Sequence, residues 1–182
     1  TECKVNVKLG ASSDEMVQLM QSGEYDGVSA SGDATQRLMA GGEVVALDLA
    51  EFSSYDDIFE GLKNKPWNSK DGEAFGIPHG RGANLLFYNT EAFPTPPDSW
   101  SVVWEAGSPA EGTASIYDSP IYIADAAVWL MATQPELGIT NPYALDETQF
   151  AAAIELLEAQ KAVAGQYWAD YLVQADSMAS GE

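Results

Sequence analysis

Apolar and polar positions change period several times along this chain, and the changes mark out its elements. Residues 4–9 (KVNVKL) alternate Val5, Val7 and Leu9 with polar side chains, the two-residue period of a strand, and Gly10 ends the run. Ser12 with Glu15 three positions on forms a capping box, after which Met16, Leu19 and Met20 fall at helical spacing as far as Gly23. Residues 25–31 (YDGVSAS) read as a short return strand, Gly32 and Asp33 as a turn, and 34–40 as a second helix closed by Gly41 and Gly42. A third strand is expected over 43–48 (EVVALD). Ser53 and Ser54 cap a helix start at Asp56 and Asp57, where carboxylates suit the positive helix end, and 64–72 is a polar loop.

The stretch 74–89 organises the rest. Strand-like runs at 74–78 and 83–89 flank His79, Gly80, Arg81 and Gly82, and glycines close to Pro78 mark a place where the backbone changes course. The segments on either side repeat the plan of strand, turn and helix. A two-lobed α/β chain is therefore expected, with lobes at 1–82 and 83–182, a hinge near 78–86, and a working cleft between them.

Beyond the hinge, 95–98 (TPPD) is a proline turn and Asp98 caps a short helix holding Trp100 and Trp104, both expected in the core. A strand at 113–117 (TASIY) is followed by Ser119 and Pro120, a cap and a first-turn proline, opening a helix that runs to about Thr133. Residues 135–143 form a loop. Asp146 starts the longest helix, with Phe150, Ile154 and Leu157 on one face. After Gly165 the chain turns aromatic, at Tyr167, Trp168 and Tyr171, and no closing element is expected.

Composition narrows the chemistry. Hydrophobic residues at 46% and charged residues at 20% suit a globular chain of 182 residues, but 28 acidic against 8 basic side chains leave a net charge of −20. A nucleic-acid partner is not expected, because phosphate binding needs clustered Lys and Arg. Such a charge either steers a cationic ligand or keeps a solvated surface soluble. Cys3 is the single cysteine, so no internal disulfide and no cysteine metal cluster is expected. No apolar run is long enough for a membrane helix, and no basic-then-apolar leader opens the sequence.

In open α/β sheets ligands bind beyond the carboxyl ends of strands. That rule selects Ser29, Ser31, Gly32 and Asp33 in the first lobe, and Tyr117, Asp118 and Ser119 in the second. Asp can accept from an ammonium, Tyr offers a ring face to a cation, and small hydroxyls permit close approach. Two roles stay open for Asp33 and Asp118: contact with such a ligand, or capping of their own helices. Residues 27–31 nearly match a nucleophile elbow, with Ser31 where its second glycine belongs, and His79 is the sole histidine, so a hydrolase using Ser29, His79 and Asp33 is an alternative. An acidic protein-interaction module is another. Gly80, Arg81 and Gly82 do not complete a dinucleotide fingerprint, and the aspartates lack calcium-loop spacing, so neither cofactor nor metal is expected.

Six motifs in consistent order carry a resemblance: 25–33 (YDGVSASGD), 55–68 (YDDIFEGLKNKPWN), 75–89 (FGIPHGRGANLLFYN), 98–104 (DSWSVVW), 117–126 (YDSPIYIADA) and 135–138 (PELG). Through them the chain resembles the periplasmic solute-binding proteins of ABC transporters, in the spermidine/putrescine-binding group. The resemblance implies an α/β two-lobed, periplasmic-binding-protein-like fold of type II, incomplete here at both ends. It also implies a periplasmic protein without catalysis that closes on a polyamine-like cation and delivers it to an ABC permease in the inner membrane. Ser29, Ser31, Gly32 and Asp33 match the family's first ligand loop, and Asp118, Ser119 and Tyr122 the second. Polyamine binders of the group tend to carry Glu where this sequence has Tyr122, whose ring face can take a cation instead. The group's chains are far longer, which implies weak binding here, or a need for a complementing segment or second chain.

Overall fold

The computed structural model describes residues 3–181. They fall into two compact units divided between Asn84 and Leu85.

Two helices organise the first unit. Helix α1 (Ser13–Gln21) begins where its sequence signal lies: the Ser12 hydroxyl oxygen accepts from the Glu15 N–H at 3.2 Å. The Glu15 carboxylate accepts from the N–H of Ala11 at 2.8 Å, so the reciprocal half of the box lands one residue early. Helix α2 (Gly32–Gly41) starts ahead of residue 34 and stops at Gly42, whose φ of +68° is the left-handed cap that favours glycine. Val17, Ala34 and Leu38 are the buried core between the helices, with Met20, Val28, Ala30 and Val44 packed against them.

This core is too small to seat a sheet. Residues 4–9 and 25–31 form no ladder, and within 43–48 only Leu47 bridges, its N–H donating to the Ala74 carbonyl at 2.7 Å. The alternating side chains of the first run stay outside, with Val5 at 78%, Val7 at 75% and Leu9 at 82% exposure. The residues expected as a helix after Ser54 form short turns instead. A hairpin appears where a loop was expected: β1 (Ser69–Lys70) pairs antiparallel with β2 (Glu73–Ala74). Asp71 at φ +54° and Gly72 at +86° supply the two left-handed residues of a tight turn whose twist matches its strands. Neither 74–78 nor 83–89 forms a strand beyond Ala74.

In the second unit β3 (Ala114–Tyr117) and β4 (Ala164–Trp168) pair in parallel, with Ile116 opposite Tyr167 and Tyr117 opposite Trp168. Parallel strands require a crossover, here α4 (Tyr122–Thr133) and α5 (Glu147–Gln160). Trp104 from the short helix α3 (Ser101–Trp104) packs with Ala126, Ala127, Leu130, Ile139 and Ala153, and the alanines let the helices approach closely. A second cluster joins Val102, Ala110, Ala114, Ile116 and Val163.

Details of the helices differ from the pattern. Ser99, not Asp98, accepts from the Ser101 N–H, at 3.1 Å, and Trp100 is exposed while Trp104 is core. Helix α5 has a complete capping box, Gln149 N–H to Asp146 at 2.9 Å and Asp146 N–H to Gln149 at 3.1 Å. Its buried positions are Ala153 and Gln160, whereas Phe150 is 47% exposed. After β4, Asp170 accepts from the Leu172 N–H at 2.9 Å and opens α6 (Tyr171–Ser180), an element the sequence pattern does not announce. No helix among the described residues is long and apolar enough to cross a membrane.

Candidate functional site

Each unit holds one cluster of the expected residues. In the second unit, the parallel pairing brings the carboxyl ends of β3 and β4 side by side. Tyr117 and Trp168 occupy equivalent last positions, and their rings stack with centroids 4.5 Å apart and planes at 26°. Such a pair contributes about 0.5–1.5 kcal/mol beyond the area it buries. The next residue is held in place by its backbone, the Asp118 N–H donating to the Trp168 carbonyl at 2.7 Å. The Asp118 side chain is exposed, and its carboxylate has no hydrogen-bond or ion-pair partner among the described residues. It does not cap α4: the chain enters that helix through backbone turns, the Ser119 carbonyl accepting from the Tyr122 N–H at 2.9 Å. The result is an unpaired carboxylate on the residue that follows an aromatic pair, at the end of a parallel ladder where α/β folds place ligands.

Trp168 and Asp170 belong to this end of the ladder and were missed by sequence reasoning. The available signal was Tyr167 and Trp168, both good strand formers, followed at once by a capping Asp. The Trp168 indole N–H is buried with no acceptor among the described residues.

Tyr122 is placed differently. Its ring stacks on Trp104 at 5.3 Å and its hydroxyl accepts from the buried Gln160 amide at 3.0 Å. Burial pushes this hydroxyl up to about 12, with Asp125 and Tyr167 adding to the rise and the Gln160 hydrogen bond opposing it. Those contacts make Tyr122 part of the helical core.

In the first unit the loop before α2 is tied to the start of α1 and to its own helix. The Ser31 N–H donates to the Ser13 hydroxyl at 3.0 Å, and the Ser31 hydroxyl donates to Asp33 at 2.5 Å. The other Asp33 oxygen faces Arg37 one turn on, at 3.4 Å, and Arg37 also binds Asp14 at 2.6 Å. A cation is thus already on Asp33, and its carboxylate makes no capping hydrogen bond to the start of α2, which has no side-chain cap among the described residues. Gly32 lies beneath Trp67: a Cβ there would come within 2.8 Å of the Trp67 Cβ. Ser29 is exposed and its hydroxyl lies 3.4 Å from His79 Nε2, a long contact. The carboxylate that a triad would need, Asp33, is directed to Ser31 and Arg37.

Among the described residues no three His, Cys, Asp or Glu side chains gather as a metal site would require. No protein-family model matches the chain.

Proposed function

We propose that this chain is the extracytoplasmic solute-binding component of an ABC transporter, holding a polyamine-like cation for delivery to a membrane permease without chemical change. The observation that carries the reading is the unpaired, exposed carboxylate of Asp118, the residue that directly follows the stacked Tyr117 and is hydrogen-bonded through its N–H to Trp168. Carboxylate and ring face attract an alkylammonium by complementary means, one by charge and hydrogen bonding, the other by the ring quadrupole. A net charge of −20 adds long-range attraction for cations. The periplasm is the proposed location, and the inner-membrane permease the proposed partner.

Thermal denaturation with putrescine, spermidine, other amines and neutral sugars tests this. A ligand that binds only the folded state raises its melting temperature by mass action, so amines should raise it and sugars should not. A response to neutral sugars alone overturns the cation assignment.

One observation favours a second reading, a small-molecule hydrolase: the 3.4 Å approach of Ser29 to His79. It requires ester turnover that disappears in Ser29→Ala and in His79→Ala.

A further inference from the structure

Beside α1, the first unit has an open hollow of about 530 Å³ that the proposed function does not use. Residues 5–13 line it consecutively, together with Met16, Leu19 and Met20 of α1. A consecutive lining means that backbone, and not just one row of side chains, borders the space. Among the described residues, no residue from 4 to 9 makes a hydrogen bond. Those same residues alternate β-branched or apolar side chains with polar ones, the pattern of a strand, and every one is exposed. Unpaired backbone of this kind is a template for a further strand.

Charge says what kind of strand fits. In a chain with 28 acidic residues, the only charged side chain lining this hollow among the described residues is Lys8. Neither Lys8 nor the nearby Lys4 has an ion-pair partner among the described residues. We propose that residues 4–9 receive an extended segment of another polypeptide by strand addition. The segment's apolar side chains cover Met16, Leu19 and Met20, and an acidic side chain meets Lys8. A second copy pairing through the same run fits less well, because its residues 4–9 carry Lys4 and Lys8 and no acidic side chain to meet Lys8. A small apolar ligand would leave the bordering N–H and C=O groups unpaired.

Hydrogen exchange on the full chain, read by mass spectrometry, tests the pairing directly. The probe is a blocked seven-residue peptide alternating valine with glutamate and threonine, compared with its lysine counterpart and with a version N-methylated at alternate backbone positions. The glutamate peptide should slow exchange within 4–9, and the N-methylated one should not. By fluorescence anisotropy the glutamate peptide should bind roughly fivefold tighter than the lysine peptide, and Lys8→Glu should reverse that order. Because Lys8 is exposed, this variant folds normally, which its circular dichroism checks. Several outcomes overturn the proposal: no slowing at about 1 mM glutamate peptide, equal binding of the two charge forms, or equal protection by the N-methylated form. Protection that arises from dimerisation of the chain alone, or uptake of an apolar dye in place of the peptide, also overturns it.

Discussion

The side-chain amide of Gln160 donates to the Tyr122 hydroxyl at 3.0 Å, joining the last turn of α5 to the first turn of α4 inside the second unit. Gln160 is 1% exposed and also donates to the Val103 carbonyl at 2.8 Å, so one glutamine holds three segments. Replacing it with the similarly sized Leu leaves both acceptors without this donor. Gln160→Leu should lower unfolding free energy by about 1–3 kcal/mol, and Tyr122→Phe by about 1 kcal/mol. Urea denaturation measures both, and equal stability of Gln160→Leu and the wild type would show that the network contributes nothing.

The same tyrosine gives an alkaline dependence. Its folded-state value of about 12 lies above the ordinary 10.0, because burial disfavours the phenolate. A raised acid means that the folded state holds the proton more tightly. The associated stability is fully present below pH 10 and is lost as pH rises through about 12. The shift corresponds to roughly 3 kcal/mol. Tyr122→Phe should remove that share of the alkaline loss, so the stability difference between wild type and variant should shrink or reverse between those pH values.

Gly165 in β4 has no room for a side chain. A Cβ there would lie 2.5 Å from the Gly112 carbonyl oxygen and 2.9 Å from the Thr113 Cα, both backbone atoms that cannot rotate away. Gly165→Ala should therefore destabilise by about 1–3 kcal/mol through forced separation of the strands. Gly80→Ala is the matched control, since nothing lies within 4 Å of its added carbon. Thermal melting of the two variants should separate them, and equal melting temperatures would remove the steric argument.

Local chemistry was legible in the sequence where a few neighbouring residues decide the outcome. Ser12 and Asp146 both cap the helices their spacing predicts, and removing the second, Asp146→Ala, should cost about 1 kcal/mol by denaturation. Long-range pairing was not legible. Residues 4–9 have a strand's alternation yet form no ladder, because a ladder needs a partner edge and a face to bury, and neither is encoded in the period. The hairpin over 69–74 was missed although Asp71 and Gly72 carry a known turn signal, since its strands are only two residues each. Within the candidate site, strand-end logic selected Tyr117 and Asp118, but not Trp168, whose place opposite Tyr117 depends on a parallel register set across α4 and α5.

The two aspartates selected from the sequence should behave differently toward ligand, and this contrast is the sharpest consequence of their surroundings. Asp33 already faces Arg37 and accepts from Ser31, whereas the Asp118 carboxylate has no partner among the described residues. A charged hydrogen bond is worth about 1.5–3 kcal/mol, so Asp118→Asn should weaken putrescine or spermidine binding roughly tenfold to a hundredfold. The exposed position of Asp118 means that the ligand-free variant should melt at the wild-type temperature. Asp33→Asn should change affinity far less and instead lower stability, because it loosens the start of α2. Calorimetry at two salt concentrations adds a check, since binding through an exposed carboxylate weakens as ionic strength rises. Loss of affinity in Asp33→Asn with none in Asp118→Asn would move the cation from the second unit to the first, against the arrangement of charges seen here.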